Sequence, residues 1–347
     1  MENPAHNVFM RTRRVEALDL EALPFGKSRL LVHLVHDELG RPVALPVLVI
    51  RGHRPGPVVG LTAALHGNEL NGIPMMHRLF ERTDPQTLRG TLVGVVVVNV
   101  PGFLRRGRQF ESVDLNHLFP GRDDGNGPEV YAARFVDRIV KHFNYLFDLH
   151  TASTGRVNSF YVRADLDNEE AARMALLQKP QIILDHDPTD GSLRGTAASL
   201  GIPAVTLEIG DPHRFQPPFV KRALGGIRAV LTELGMQPKR KLLDVPEPVI
   251  CFGSRWLYTD HGGLLEVFPE VADRVAAGDL VARVTNIFGD VEREYRAPEA
   301  GIVIGKSVDP VASTGARILH LGYVRGDVSQ PPQFVAPEPE DSLEQEP

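Results

Sequence analysis

Apolar residues recur in two rhythms along the chain. Segments 28–36 and 43–50 alternate apolar and polar positions on either side of Gly40-Arg41-Pro42, which predicts two β segments around a turn. From Pro57 the pattern changes. Apolar runs at 57–65, 91–99, 145–149, 157–163 and 203–208 alternate with helix-period stretches at about 68–82, 128–143, 168–178, 190–200 and 216–235. Continuous apolar strands separated by helices predict an α/β layered domain with a central sheet covered on both faces.

Past Gly235 the rhythm breaks. A charged, proline-bearing linker (MQPKRKLLDVPEP) leads into short strand-like pieces spaced by glycine, which predicts an all-β module at 247–325. The expected organisation is an α/β domain over 1–240, that module, and a disordered acidic tail at 330–347. The module is similar to biotinyl or lipoyl barrels around Ala297-Pro298 and Gly301, but its expected hairpin tip, Asn286 to Asp290, lacks a carrier lysine. Its expected role is to shape the active-site entrance, with Tyr258 or His261 as candidate contributors.

Composition narrows the function. A formal charge of −6 gives no broad basic face, so nucleic acid is not an expected partner and small molecules are. Cys251 is the only cysteine, which excludes an intrachain disulfide and fits a reducing compartment. The first twenty residues lack the apolar core of a secretory signal, and no run approaches the ~20 apolar residues of a membrane span. A cytoplasmic protein is expected, and a homo-oligomer through a strand edge of the β module stays open. No phosphate-loop, dinucleotide or G-x-S-x-G motif occurs, so no organic cofactor and no serine nucleophile are expected.

Chemistry gathers at the ends of the predicted strands. His66 and Glu69 stand three residues apart where the 57–65 run gives way to a helix, the position at which open α/β sheets put ligands. Gly67 is expected to let the backbone turn between them. His150 closes another strand, and two histidines with one carboxylate make a catalytic zinc set with a fourth position open. Glu208 ends the apolar run Ala204 to Leu207, where a carboxylate is paired or functional. Asp148, two residues before His150, shares its strand face and is a candidate to orient it. Thr151 and Ser153 are candidate pocket residues.

These segments resemble the succinylglutamate desuccinylase/aspartoacylase family, related to zinc carboxypeptidases. The match rests on His66-Gly67-Asn68-Glu69, Asn99 to Phe103, Asp114-Leu115-Asn116, Phe119-Pro120-Gly121, Asp148-Leu149-His150 and Leu207-Glu208, in family order. The resemblance implies a zinc carboxypeptidase-like mixed sheet flanked by helices, plus a C-terminal all-β barrel-like module. It implies one Zn2+ per chain on His66, Glu69 and His150, with Glu208 as general base and acid toward the metal's water. It also implies an arginine that polarises the scissile carbonyl. Arg105, Arg106 and Arg108 lie in that interval, and Arg108 aligns best.

One position departs from the family pattern. Where the family carries an Asn-Arg pair that grips a substrate carboxylate, this chain has Asn116-His117, and histidine cannot form arginine's bidentate fork. The substitution favours a substrate without a carboxylate at that subsite; the alternative is replacement by Arg156 or Arg163. The leading expectation is a zinc-dependent deacylase of a small N-acyl amide. A carboxypeptidase-like peptidase is disfavoured by the missing fork, and a non-catalytic zinc or ligand-binding protein by retention of Glu208.

Overall fold

The computed structural model describes residues 12–238 and 246–324. The predicted tail at 330–347 and most of the charged linker lie outside the described residues. The elements run β1 (Arg13–Val15), β2 (Gly26–His36), β3 (Pro42–Arg51), β4 (Arg54–Ala63), α1 (Gly72–Arg82), β5 (Arg89–Val95), α2 (Val100–Arg105), α3 (Gly127–Arg138), β6 (Tyr145–His150), β7 (Arg156–Asn158), β8 (Tyr161–Ala164), α4 (Glu169–Leu177), β9 (Ile182–Asp185), α5 (Leu193–Ser199), β10 (Ala204–Glu208) and α6 (Pro217–Glu233). Then follow β11 (Val249–Tyr258), β12 (Gly263–Val267), β13 (Arg274–Val275), β14 (Leu280–Thr285), β15 (Val291–Arg296), β16 (Gly301–Ser307), β17 (Val311–Ala312) and β18 (Arg317–Val324).

A 14-stranded mixed sheet in the order β1-β2-β3-β5-β4-β6-β10-β8-β9-β11-β18-β16-β13, with β7 paired to β16, runs through the molecule. A separate four-stranded antiparallel sheet, β15-β14-β12-β17, completes the C-terminal region. Helices cover both faces of the main sheet. Alternate residues of β4 show why: Val59, Leu61 and Ala63 join α1, α4 and α6 in one core, while Val58 faces the core built with α3 and α5. Both faces are dry, so the central strands read as near-continuous apolar runs.

Three expectations are revised. The predicted strand at 157–163 is two strands: β7 turns away to pair β16, and β8 stays between β10 and β9. The helix expected from 68 begins at Gly72, leaving Glu69 in a turn where its N–H donates to the His66 carbonyl at 3.0 Å. The run at 91–99 stops being strand at Val95, and Asn99 instead caps α2, its side chain accepting from Gly102 N. The C-terminal region is all-β as expected, and besides its own four-stranded sheet it extends the main one, because β11 pairs in parallel with β9.

Three consecutive parallel neighbours, β4, β6 and β10, end side by side. The chain passes from β4 to β5 on one side and later from β5 back to β6 on the other, so the crevice at these carboxyl ends is a switch point of the topology.

Candidate active site

Each central strand delivers one group to that crevice. His66 and Glu69 follow β4, and His150 is the last residue of β6. Glu208, the last residue of β10, is in register with His150 on one side and Tyr161 on the other. The turn between His66 and Glu69 works by closeness more than by unusual dihedrals. A Cβ on Gly67 would stand 2.1 Å from the Gly102 carbonyl carbon, so only glycine lets this turn lie against α2. Unusual backbone falls instead on Ala64, at φ 50°.

His66 Nδ1 lies 2.9 Å from Glu69 Oε1, His150 Nδ1 lies 3.0 Å from Glu69 Oε2, and the two Nδ1 atoms are 3.2 Å apart. All three residues are buried. Ligand atoms on a tetrahedral ion with zinc-like bond lengths stand about 3.3 Å apart, so this spacing suits one small cation. The outer ring nitrogens explain the orientation. His66 Nε2 meets Asp114 Oδ1 at 3.1 Å, and His150 Nε2 meets Asp148 Oδ2 at 2.7 Å. Each carboxylate takes the Nε2 proton and leaves the Nδ1 lone pair aimed inward. Thr62 fixes Asp148 in turn, its hydroxyl donating to Oδ1 at 2.7 Å. The Thr151 N–H donates to Glu69 Oε2 at 3.0 Å.

Electrostatics agrees with this donor set. Burial by itself would lower the His150 pKa, yet the charge and hydrogen bond of Asp148, with Glu69, carry it well above the ordinary histidine value. For His66, burial is likewise outweighed by Glu69 and Asp114. Burial favours a neutral Asp114, but His66 and Arg108 hold its carboxyl far below the usual range. Glu208 moves the other way. Burial, reinforced by the Glu69 carboxylate, raises it despite the pull of His150. The carboxylates around these histidines make the pocket attract positive charge, whether a proton or a cation.

Of the three candidate arginines only Arg108 reaches the cavity, while Arg105 and Arg106 are exposed on and after α2. Arg108 donates through Nε and Nη2 to Asp114 Oδ2 at 3.0 and 2.8 Å. Its Nη1 meets Glu69 Oε1 at 3.0 Å and Ser153 Oγ at 2.8 Å. Asp114 thus braces both His66 and Arg108, a role the sequence did not single out. An acid six residues past a basic loop gives no local signal of that bracing.

The cavity, about 300 Å³, is lined by His66, Glu69, His150, Glu208 and Arg108, and also by Asn116 and His117. Asn116 is partly structural, since its Oδ1 accepts from Leu193 N at 2.9 Å. His117 sits on the rim, its side chain 73% exposed and 3.9 Å from Asp114. Arg156 and Arg163 both line the cavity. Tyr258 and His261 do not; Trp256 and Arg317 represent the C-terminal strands instead, residues the sequence reading missed.

A mixed α/β sheet bearing, at its central strand ends, a His-Glu-His cluster whose ligand atoms could hold a metal ion defines the class of protein. The family model of the succinylglutamate desuccinylase/aspartoacylase catalytic domain matches residues 55–234, and the chain belongs to that family. Among curated relatives, N-alpha-acetyl-L-2,4-diaminobutyric acid deacetylase of Halomonas elongata is 28% identical over 324 residues, covering 88% of this chain and 94% of the relative. Succinylglutamate desuccinylase of Pseudomonas paraeruginosa is 31% identical over 186 residues, covering 50% of this chain and 56% of the relative. Among solved structures, the product-bound ectoine utilization protein EutE (DoeB) of Ruegeria pomeroyi superposes with a TM-score of 0.80 at 24% identity, covering 87% of this chain and 98% of that one. These curated relatives are deacylases of small N-acylated molecules. No helix among the described residues is long and apolar enough to cross a membrane.

Proposed function

We propose that this protein is a zinc-dependent hydrolase that cleaves the N-acyl amide bond of a small molecule. The observation that carries the reading is the inward-facing His66, Glu69 and His150 set, one strand away from a carboxylate with a raised pKa. The deacetylase relative, aligned along nearly its whole length, supports amide deacylation over peptide cleavage.

Zinc held by those three residues would polarise a carbonyl and acidify water. Ionised Glu208 takes a proton from the attacking water as the new carbon–oxygen bond forms. It then gives that proton to the amide nitrogen as the carbon–nitrogen bond breaks, releasing an acid and an amine. Its raised pKa suits both halves of that exchange. Arg108, its plane fixed by Asp114 and held beside Glu69, holds the carbonyl oxygen as negative charge develops there. Asn116 and His117 contact the substrate from the rim.

Amine release from a panel of N-acetyl and N-succinyl amino acids, N-acyl amines and short peptides tests the reading. The expected result is turnover of N-acyl compounds, lost with a chelator and restored by zinc. Preferential cleavage of peptides, or hydrolysis indifferent to chelation, would contradict it.

A further inference from the structure

The part of the cavity lined by Trp256, Arg317 and Arg156, from β11, β18 and β7, carries the reverse chemistry. Trp256 on β11 is cross-strand neighbour to His320 on β18, and their rings stack at 4.8 Å and 7°. Two guanidinium carbons lie over the same indole: Arg156 from β7 at 5.4 Å and Arg317 from β18 at 4.9 Å from its centre. Neither arginine forms an ion pair with an acidic side chain among the described residues. Arg163, also in the cavity, donates to the Tyr161 hydroxyl and lies over its ring, with the Glu208 and Asp190 carboxylates near enough to raise its pKa. His320 adds no charge, because burial, followed by Arg163 and Arg317, holds it neutral.

Two like charges without an ion-pair partner in a partly closed space are unfavourable: burial with Arg317 nearby depresses the Arg156 pKa, and the Glu208 and Glu69 carboxylates offset this only in part. The pair also stands at a junction. Arg156 and Arg317 line both the cavity beside Glu208 and a second one of about 300 Å³ that opens past Thr154 and Asp309.

We propose that Arg156 and Arg317, seated on Trp256, form an anion subsite that takes a carboxylate of the substrate and thereby sets specificity. The substrate is then an N-acyl compound bearing a carboxylate on the part that reaches the C-terminal strands. Planar guanidinium groups resting on an aromatic face suit a carboxylate. This grip lies away from the rim where His117 replaces an arginine. That the carboxylate belongs to an acylated substrate rests on the deacylase reading; the site does not, and its test needs no turnover.

Trp256 is the only tryptophan in the chain, so its fluorescence reports this wall directly. Zinc-loaded protein is titrated with glutarate and with the uncharged analogue glutaramide. The expected result is a saturable change with glutarate, absent with glutaramide. The glutarate Kd should rise at least about tenfold in Arg317→Gln and in Arg156→Gln, and less in Arg317→Lys. Arg317 is exposed, so its replacement leaves the core untouched. An equal response to glutaramide, no response to glutarate, or unchanged glutarate binding in Arg317→Gln would overturn the proposal.

Discussion

The two walls of the cavity solve opposite electrostatic problems. At the ends of β4, β6 and β10, acceptors converge: two imidazole lone pairs and a carboxylate, each braced by Asp114, Asp148, Thr151 or Arg108. Around Trp256 of β11 the surplus is positive, with Arg156 of β7 and Arg317 of β18 over its ring and neither ion-paired with an acidic side chain among the described residues. On the first wall the outer ring nitrogens of both histidines are already hydrogen-bonded to carboxylates. The second is a set of donors awaiting an anion. A hydrolase of a charged amide needs both, since the cation end handles the reacting carbonyl and the other end decides which molecule is presented to it.

If the walls divide the work in this way, changes on the first should cut rate or metal affinity and leave substrate preference alone. Glu208→Gln should have the largest effect, a loss of roughly 10²–10⁴-fold in kcat with zinc still bound, as measured by steady-state kinetics and metal content together. The pH profile gives the sign. Glu208 must be ionised to act and its pKa is raised, so kcat/KM should fall on the acid side at a pH above the ~4.3 of a free glutamate. An acid limb at or below that value would remove Glu208 from the role.

Arg108→Gln should lower kcat by about 10²–10³-fold while KM changes little, as expected for a donor that matters most when charge develops on the carbonyl oxygen. A large KM effect with kcat intact would make Arg108 a binding group instead. The smallest expected effect belongs to Asp148→Asn, which weakens the orientation of His150. Competition with a chelator should show zinc affinity about 10–100-fold weaker, with the fold retained. Unchanged affinity would mean that Asp148 only ties β6 to β4 through Thr62.

The same contrast governs what was legible in the sequence. The first wall could be read because its residues sit at the ends of dry strands, where a polar residue interrupts an apolar run and is noticed: His66 and Glu69 after 57–65, His150 after 145–149, Glu208 after 203–207. Arg108 needed the family resemblance to stand out from Arg105 and Arg106, and the structure separates them by placing only Arg108 within reach of Asp114 and Glu69. The bracing by Asp114 spans 48 residues to His66 and leaves no local pattern.

Of the second wall, the sequence offered Arg156 as one alternative grip, while Trp256 and Arg317 stayed opaque for a topological reason. Trp256 and Arg317 reach the cavity because β11 pairs with β9, a strand the apolar pattern did not mark, and because β7 departs from β8 to join β16. Those pairings join segments far apart in sequence, and no periodicity within either segment announces them. Hence the sequence points to Tyr258 and His261 from this module and gives no sign of Trp256, their near neighbour on the same stretch of chain.

The account turns on a single ion. Elemental analysis of protein purified without chelator, wild type beside His150→Ala and Glu69→Ala, tests it most directly. One zinc per wild-type chain, lost in both variants while circular dichroism shows the fold retained, is the predicted result. A wild-type protein without zinc, or variants that keep it in full, would contradict the assignment of His66, Glu69 and His150 as its ligands.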